Sequence, residues 1–177
     1  MITVICGTNR PGSNSEIIAK YYYQQLKKKA KVEVKFLSLD RLNEVSVREG
    51  MYEADTQCEV IKDLQSEFMV PAKRFVFVIP EYNGSFPGIF KYFIDAISIG
   101  KYKESFSGKH ALLVGVATGR AGNLRGMGHL TDILLHIGTH VHPSQMPYSS
   151  VGKALKDGKI TDADTRKNIR SHIEGWL

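Results

Sequence analysis

Apolar positions along this chain follow two rhythms that alternate from one end to the other. The uninterrupted runs Val4-Ile5-Cys6, Phe75-Val76-Phe77-Val78-Ile79 and Ala111 to Ala117 read as strands buried on both faces. Between them, apolar residues recur three and four apart, the spacing of an amphipathic helix. This pattern predicts helices over Ser13 to Ala30, Glu59 to Met69 (closed by Pro71), Pro87 to Ile99, and Asn123 to Ile137 with Gly138 as a stop. Val32 to Leu37 alternates in character and predicts a half-exposed edge strand. A fifth strand falls at Thr139 to His142. A last helix is introduced by Thr161, with Asp164 three residues on in an acidic variant of the capping box. Residues 41–58 are polar and poorly periodic, which predicts a long connection with room for a short helical piece.

Five strands alternating with five helices predict an α/β fold, a parallel sheet covered by helices on both faces as a three-layer sandwich. Right-handed crossovers leave few topologies, and the five-stranded order 2-1-3-4-5 leads among them. Ligands in such sheets bind at the carboxyl ends of the strands, where the strand order reverses. Here that crevice lies between strands one and three. Three loops meet there, and their residues carry the candidate chemistry.

The first loop, Gly7 to Ser15, turns from a strand into a helix N-terminus, where unpaired amides favour an anion. Thr8, Ser13 and Ser15 offer hydroxyls, Asn14 an amide and Arg10 a planar cationic fork. The set suits a monophosphate. It lacks the lysine of a triphosphate-binding loop and does not match the GxGxxG fingerprint. Ser13 or Asn14 also reads as an ordinary helix cap. The second loop, Pro80-Glu81-Tyr82-Asn83-Gly84-Ser85-Phe86-Pro87-Gly88, brings an aromatic ring, an amide and two glycines, parts that suit holding a flat heterocycle. The third, Thr118-Gly119-Arg120-Ala121-Gly122-Asn123-Leu124-Arg125-Gly126, is built from small residues that let backbone approach a ligand closely, or simply turn.

Composition narrows the function classes. The 177 residues suit one domain over 1–177, and no run approaches the length of a membrane span or a signal peptide. A cytoplasmic location is expected. Lysine plus arginine outnumber aspartate plus glutamate by 24 to 18, but Lys27, Lys28, Lys29 and Lys31 read as the solvated end of a helix. Neither nucleic acid nor membrane is therefore expected as a partner. Cys6 and Cys58 have neither disulfide nor zinc spacing, and Cys6 reads as an inert buried hydrophobe. His136, His140 and His142 lack a carboxylate or cysteine at ligand spacing and read as surface or subunit-contact residues, with no metal. Tyr21, Tyr22 and Tyr23 cannot share one helix face, so core and rim packing is expected of them.

The residues just quoted resemble the NAD(P)H-dependent FMN reductases of flavodoxin-like fold, whose relatives include quinone, azo-dye and chromate reductases. The resemblance covers nearly the whole chain and is most specific over Pro80 to Ser85 with Pro87, Gly88, Lys91, Ile94 and Asp95. It implies that Thr8, Arg10, Ser13 and Ser15 surround an FMN phosphate. Pro80, Glu81, Tyr82, Asn83 and Gly84 would line the isoalloxazine, with Thr118, Gly119 and Gly122 along another part of it. Arg120 or Arg125 is expected to meet the phosphates of the nicotinamide cofactor, NADPH or NADH. The family's activity is ping-pong hydride transfer through the flavin to a small-molecule electron acceptor, which requires no catalytic acid, base or nucleophile from the chain. The helix with Phe90, Tyr92 and Phe93 is apolar on more than one face, which suggests burial against a partner subunit; the resemblance also implies a homodimer or tetramer. A flavodoxin-type electron-transfer module and a non-catalytic flavin-binding protein are the alternatives.

Overall fold

A computed structural model describes residues 1–42 and 57–177, so most of the connection expected over 41–58 lies outside the described residues. The elements run β1 (Ile2–Cys6), α1 (Asn14–Lys29), β2 (Val34–Ser38), α2 (Glu59–Leu64), β3 (Arg74–Pro80), α3 (Gly88–Ile97), α4 (Tyr102–Phe106) and β4 (His110–Val116). There follow α5 (Leu124–His136), β5 (His140–Val141), β6 (Met146–Tyr148), β7 (Leu155–Lys156), β8 (Lys159–Ile160) and α6 (Ala163–Glu174). The main sheet is parallel, in the order β2-β1-β3-β4-β5, the topology expected of a flavodoxin-like fold.

Alternation along the buried strands divides the core into two unlike layers. Phe75, Phe77 and Ile79 of β3 face α2, α3 and α5, where they meet Phe90, Phe93 and Leu130. Val76 and Val78 face α1 and α6, where they meet Ile18, Tyr22 and Ile169. From β3, phenylalanines thus point to one layer and valines to the other. Phe90 and Phe93 are fully buried inside their own chain, with Phe90 edge-on to Phe77 at 5.5 Å. The sequence had led us to expect a partner subunit over α3; the chain itself already covers Phe90 and Phe93, while Tyr92 is half-buried.

Four local features differ from the sequence reading, each for a physical reason. The fifth strand is divided: β5 pairs the start of β4 and β6 pairs its end, with Pro143 and Ser144 between them. Proline has no amide to give the ladder, so pairing lapses there and resumes at Met146. The second helix passes from α2 into a π-helical turn over Gln65–Met69. There the buried Gln65 amide donates to the Ile97 carbonyl and the Ser105 hydroxyl, both at 2.7 Å, tying the turn to α3 and α4. The short α4 has too few residues for periodicity to reveal it. The last helix is capped by Asp162, not Thr161, because the Asp162 carboxylate accepts from the Thr165 amide at 2.6 Å.

Tyr22 lies at the centre of a buried polar chain. The Ser144 carbonyl can only accept, so His172 Nε2 must carry the proton that it shares at 2.7 Å. Nδ1 then accepts from the Tyr22 hydroxyl at 2.8 Å, and Tyr22 accepts from Tyr148 at 3.2 Å. Burial, more than any other influence, holds the His172 pKa below its ordinary value. The unfolded imidazole therefore takes up a proton before the folded one. Stability from this group is present above about pH 6.5 and is lost as pH falls through the depressed folded value. Urea midpoints measured from pH 7.5 down to 5 should decline for the native sequence, and His172→Gln should flatten that decline. Equal slopes for both proteins would show that the ring does not titrate on unfolding.

Candidate functional site

The first loop is shaped by the cap of α1. Ser13 is the N-cap residue, its hydroxyl oxygen accepting from the Glu16 amide at 3.2 Å. Glu16 in turn reaches back to accept from the Gly12 amide at 2.9 Å. This reciprocal pair resembles a capping box and holds the loop open at the head of the helix. The amides of Asn14 and Ser15 open the helix and have no intrahelical acceptor to meet. Burial pushes the neighbouring Cys6 thiol up to about 12, so it stays protonated and plays no part as a nucleophile.

The second loop leaves β3 at Pro80 and at once forms a two-residue hairpin. Tyr82 and Ser85 exchange backbone hydrogen bonds of 2.8 and 3.0 Å. The residues between them, Asn83 and Gly84, have φ of +50° and +75°. Asn-Gly is the pair best suited to a turn that needs both central residues left-handed. The hairpin directs the Tyr82 ring back across the crevice, where its hydroxyl lies 3.2 Å from that of Thr8. Loops one and two are thereby joined.

The third loop is fastened from below. The side-chain nitrogen of Asn123 donates to the carbonyls of Ile79 (3.2 Å) and Pro80 (2.9 Å), while its backbone takes φ +63°. Ser149 Oγ donates to the Arg120 carbonyl at 2.7 Å and the Ser150 amide to the Gly119 carbonyl at 2.8 Å. This loop rests on the residues that follow β6, and its asparagine holds the base of loop two.

The candidate residues fall into three groups. Arg10, Ser13, Asn14 and Ser15 from loop one, Pro80, Glu81 and Tyr82 from loop two, and Thr118 from loop three line one cavity of about 110 Å³. Thr8 is buried behind it, joined to Tyr82. Asn83 and Gly84 form the hairpin tip, and Gly119 and Arg120 are exposed on the outer part of loop three. Gly122 is packed against Pro147. Lys91 and Asp95 pair with each other at 2.7 Å on the outer face of α3, outside the cavity. Sequence reasoning missed Val116, Ala117 and Val151 as lining residues and Asn123 as a strut. For Asn123 the signal was available, since asparagine after glycine is a residue that tolerates a left-handed backbone. A larger groove of about 600 Å³ between α1 and the β7–β8 hairpin meets the first loop only at Gly12.

The residues present fit a flavin mononucleotide on two observations. A methyl group placed on Gly119 would meet no atom within 4 Å, so the backbone of loop three borders open space. The donors around loop one, with Arg10 among them, are those of an anion site.

A family model described as NADPH-dependent FMN reductase matches residues 1–153. The chain belongs to that family. An NAD(P)H-dependent FMN reductase of Pseudomonas aeruginosa is 32% identical over 107 residues, covering 58% of this chain and 56% of its own length. The alignment thus spans just over half of that relative. A 2-hydroxy-1,4-benzoquinone reductase of a Burkholderia species is 25% identical over 65% of this chain and 69% of its own. Among solved structures, a flavoenzyme NAD(P)H:(acceptor) oxidoreductase of Paracoccus denitrificans superimposes with a TM-score of 0.78. It is 24% identical and is matched over 99% of this chain and 93% of its own, a likeness of fold. All three loops of the site lie inside the residues that the FMN reductase family model matches. No helix among the described residues is long and apolar enough to cross a membrane.

Proposed function

We propose that this FMN reductase family member carries hydride from NAD(P)H through bound FMN to a small acceptor such as a quinone, an azo compound, a metal oxyanion or free flavin. The supporting observation is that an anion-ready first loop, an aromatic second loop and an open third loop meet at one crevice. Arg10, Ser13 and the amides of Asn14 and Ser15 would hold the phosphate. Tyr82, Glu81, Pro80 and Thr118 would border the ring. Bound there, FMN would supply two-electron chemistry, accepting hydride from NAD(P)H and releasing it with a proton to the acceptor.

The chain's own part is positioning. The Tyr82–Thr8 hydrogen bond keeps the aromatic wall over the phosphate loop, and the Asn123 strut keeps the second and third loops at a constant separation. Since donor and acceptor would use the same face in turn, the kinetics should be ping-pong. The test is NAD(P)H consumption by FMN-loaded protein across a small acceptor panel. Parallel lines in double-reciprocal plots are expected. FMN uptake without reduction by either nicotinamide would instead favour an electron-transfer module.

A further inference from the structure

The arginines whose side chains the structure describes divide sharply by location. Away from the crevice, Arg74 donates to the Trp176 carbonyl at 3.0 Å, Arg166 to the Ile160 carbonyl at 2.8 Å and Arg170 to the Tyr21 hydroxyl at 3.2 Å. The guanidinium groups of Arg10, Arg120 and Arg125 make no hydrogen bond or ion pair with any described residue. All three stand on the loops and the helix start at the carboxyl end of the sheet. Arg10 belongs to the phosphate loop. Arg120 and Arg125 remain, one on loop three and the other in the first turn of α5.

Arg125 is held close to the second loop. Its guanidinium lies 3.7 Å from where a Cβ on Gly84 would stand. One turn further along α5, His129 shares a hydrogen bond of 2.9 Å with Ser85 Oγ. The first two turns of α5 therefore grip the Tyr82–Ser85 hairpin, with a cationic fork that has no partner among the described residues beside the backbone the resemblance places at the ring. Glu81 is the one carboxylate among the candidate lining residues, and Glu16 of the first loop is taken up by Lys20 and the Gly12 amide.

We propose that Arg125 selects the electron acceptor by receiving an anionic oxygen on its aromatic ring. The class served best is then ionised hydroxyquinones and similar aromatic anions, ahead of neutral quinones. This inference rests on the flavin-reductase reading. A small acceptor carries its anionic oxygen on the ring itself, so one docked against the hairpin would bring that oxygen within reach of Arg125, which stands 3.7 Å from the Cβ position of Gly84. The phosphates of a nicotinamide dinucleotide lie beyond a ribose and reach further out. A planar fork suits a ring-bound oxygen, and the pairing is strong where water is partly excluded.

The experiment compares 2-hydroxy-1,4-naphthoquinone, an anion at neutral pH, with its 2-methoxy analogue, which cannot ionise. The reductant is NADH at saturation and the protein is FMN-loaded. Arg125→Ala should lower the ratio of the two kcat/KM values by about tenfold, the scale of a hydrogen bond to a charged group. Arg125→Lys should restore part of it, and rising salt should reduce the ratio for the native protein. Calorimetry with naphthalene-2-sulfonate, a redox-inert anion, should show weaker binding to FMN-loaded Arg125→Ala by a similar factor. An unchanged ratio would overturn the proposal, most directly if the KM for NADPH rose instead, because Arg125 would then serve the dinucleotide. Failure of the native protein to take up FMN would overturn the flavin reading and this one together. FMN uptake with an unchanged ratio removes this one alone.

Discussion

Gly115→Ala is expected to cost about 3 kcal/mol and to weaken FMN binding by at least about tenfold. Gly115 lies on β4, facing the layer that contains α5, at the point where loop three folds back onto the sheet. A methyl group there would stand 2.1 Å from the Gly122 carbonyl oxygen, 3.1 Å from Met127 and 3.2 Å from the Asn123 Cβ. The first of these neighbours is backbone and cannot rotate away. Gly122 is itself confined, since its own added Cβ would come 2.5 Å from Pro147. The loop must therefore lift, and lifting it withdraws Asn123 from the carbonyls of Ile79 and Pro80. Those carbonyls are buried and would lose their partner, while the second loop would lose its support. Urea unfolding and quenching of FMN fluorescence on titration measure the two effects. An unaltered unfolding midpoint with an unaltered Kd would show that loop three does not depend on this contact.

Arg10→Ala should raise the Kd for FMN by about ten- to a hundredfold, from the loss of a hydrogen bond to a charged group. The same substitution should discriminate little against riboflavin, which has the ring but no phosphate. The backbone amides at the head of α1 and the Ser13 hydroxyl remain in the variant, so binding should be weakened and not lost. The native protein's Kd for FMN should also rise with salt, while that for riboflavin should rise less. Equal losses for the two flavins would place Arg10 at the ring, and no loss for either would remove it from the site.

Much of this arrangement was legible beforehand. Phe75 to Ile79 and Ala111 to Ala117 are apolar without interruption and too short for a buried helix, which leaves a strand covered on both faces. Ser13 or Asn14 was expected to cap α1, and Ser13 does; Gly138, with φ +79°, ended α5 where expected. Other parts were hidden for identifiable reasons. The division of the fifth strand depends on β4 offering two separate stretches to pair, which no local pattern in residues 139–148 reveals. The π-helical turn at Gln65 depends on acceptors from α3 and α4 more than thirty residues away in sequence. Thr161 and Asp162 are both acceptable caps, and geometry alone chose the aspartate.

By itself, the sequence determined the alternation of strands and helices, the parallel sheet, and the identity of the three loops that gather at its carboxyl end. Periodicity and turn chemistry are local properties, and they are enough to order such a sheet. Only the tertiary structure decided how those loops are joined: Tyr82 to Thr8 across 74 residues, Asn123 to Pro80 across 43, and Ser85 to His129 across 44. It also decided which arginines lack a partner among the described residues. Hydrogen bonds between distant side chains depend on the packing of the two layers of core beneath them, and no pattern within a short window of sequence contains that information.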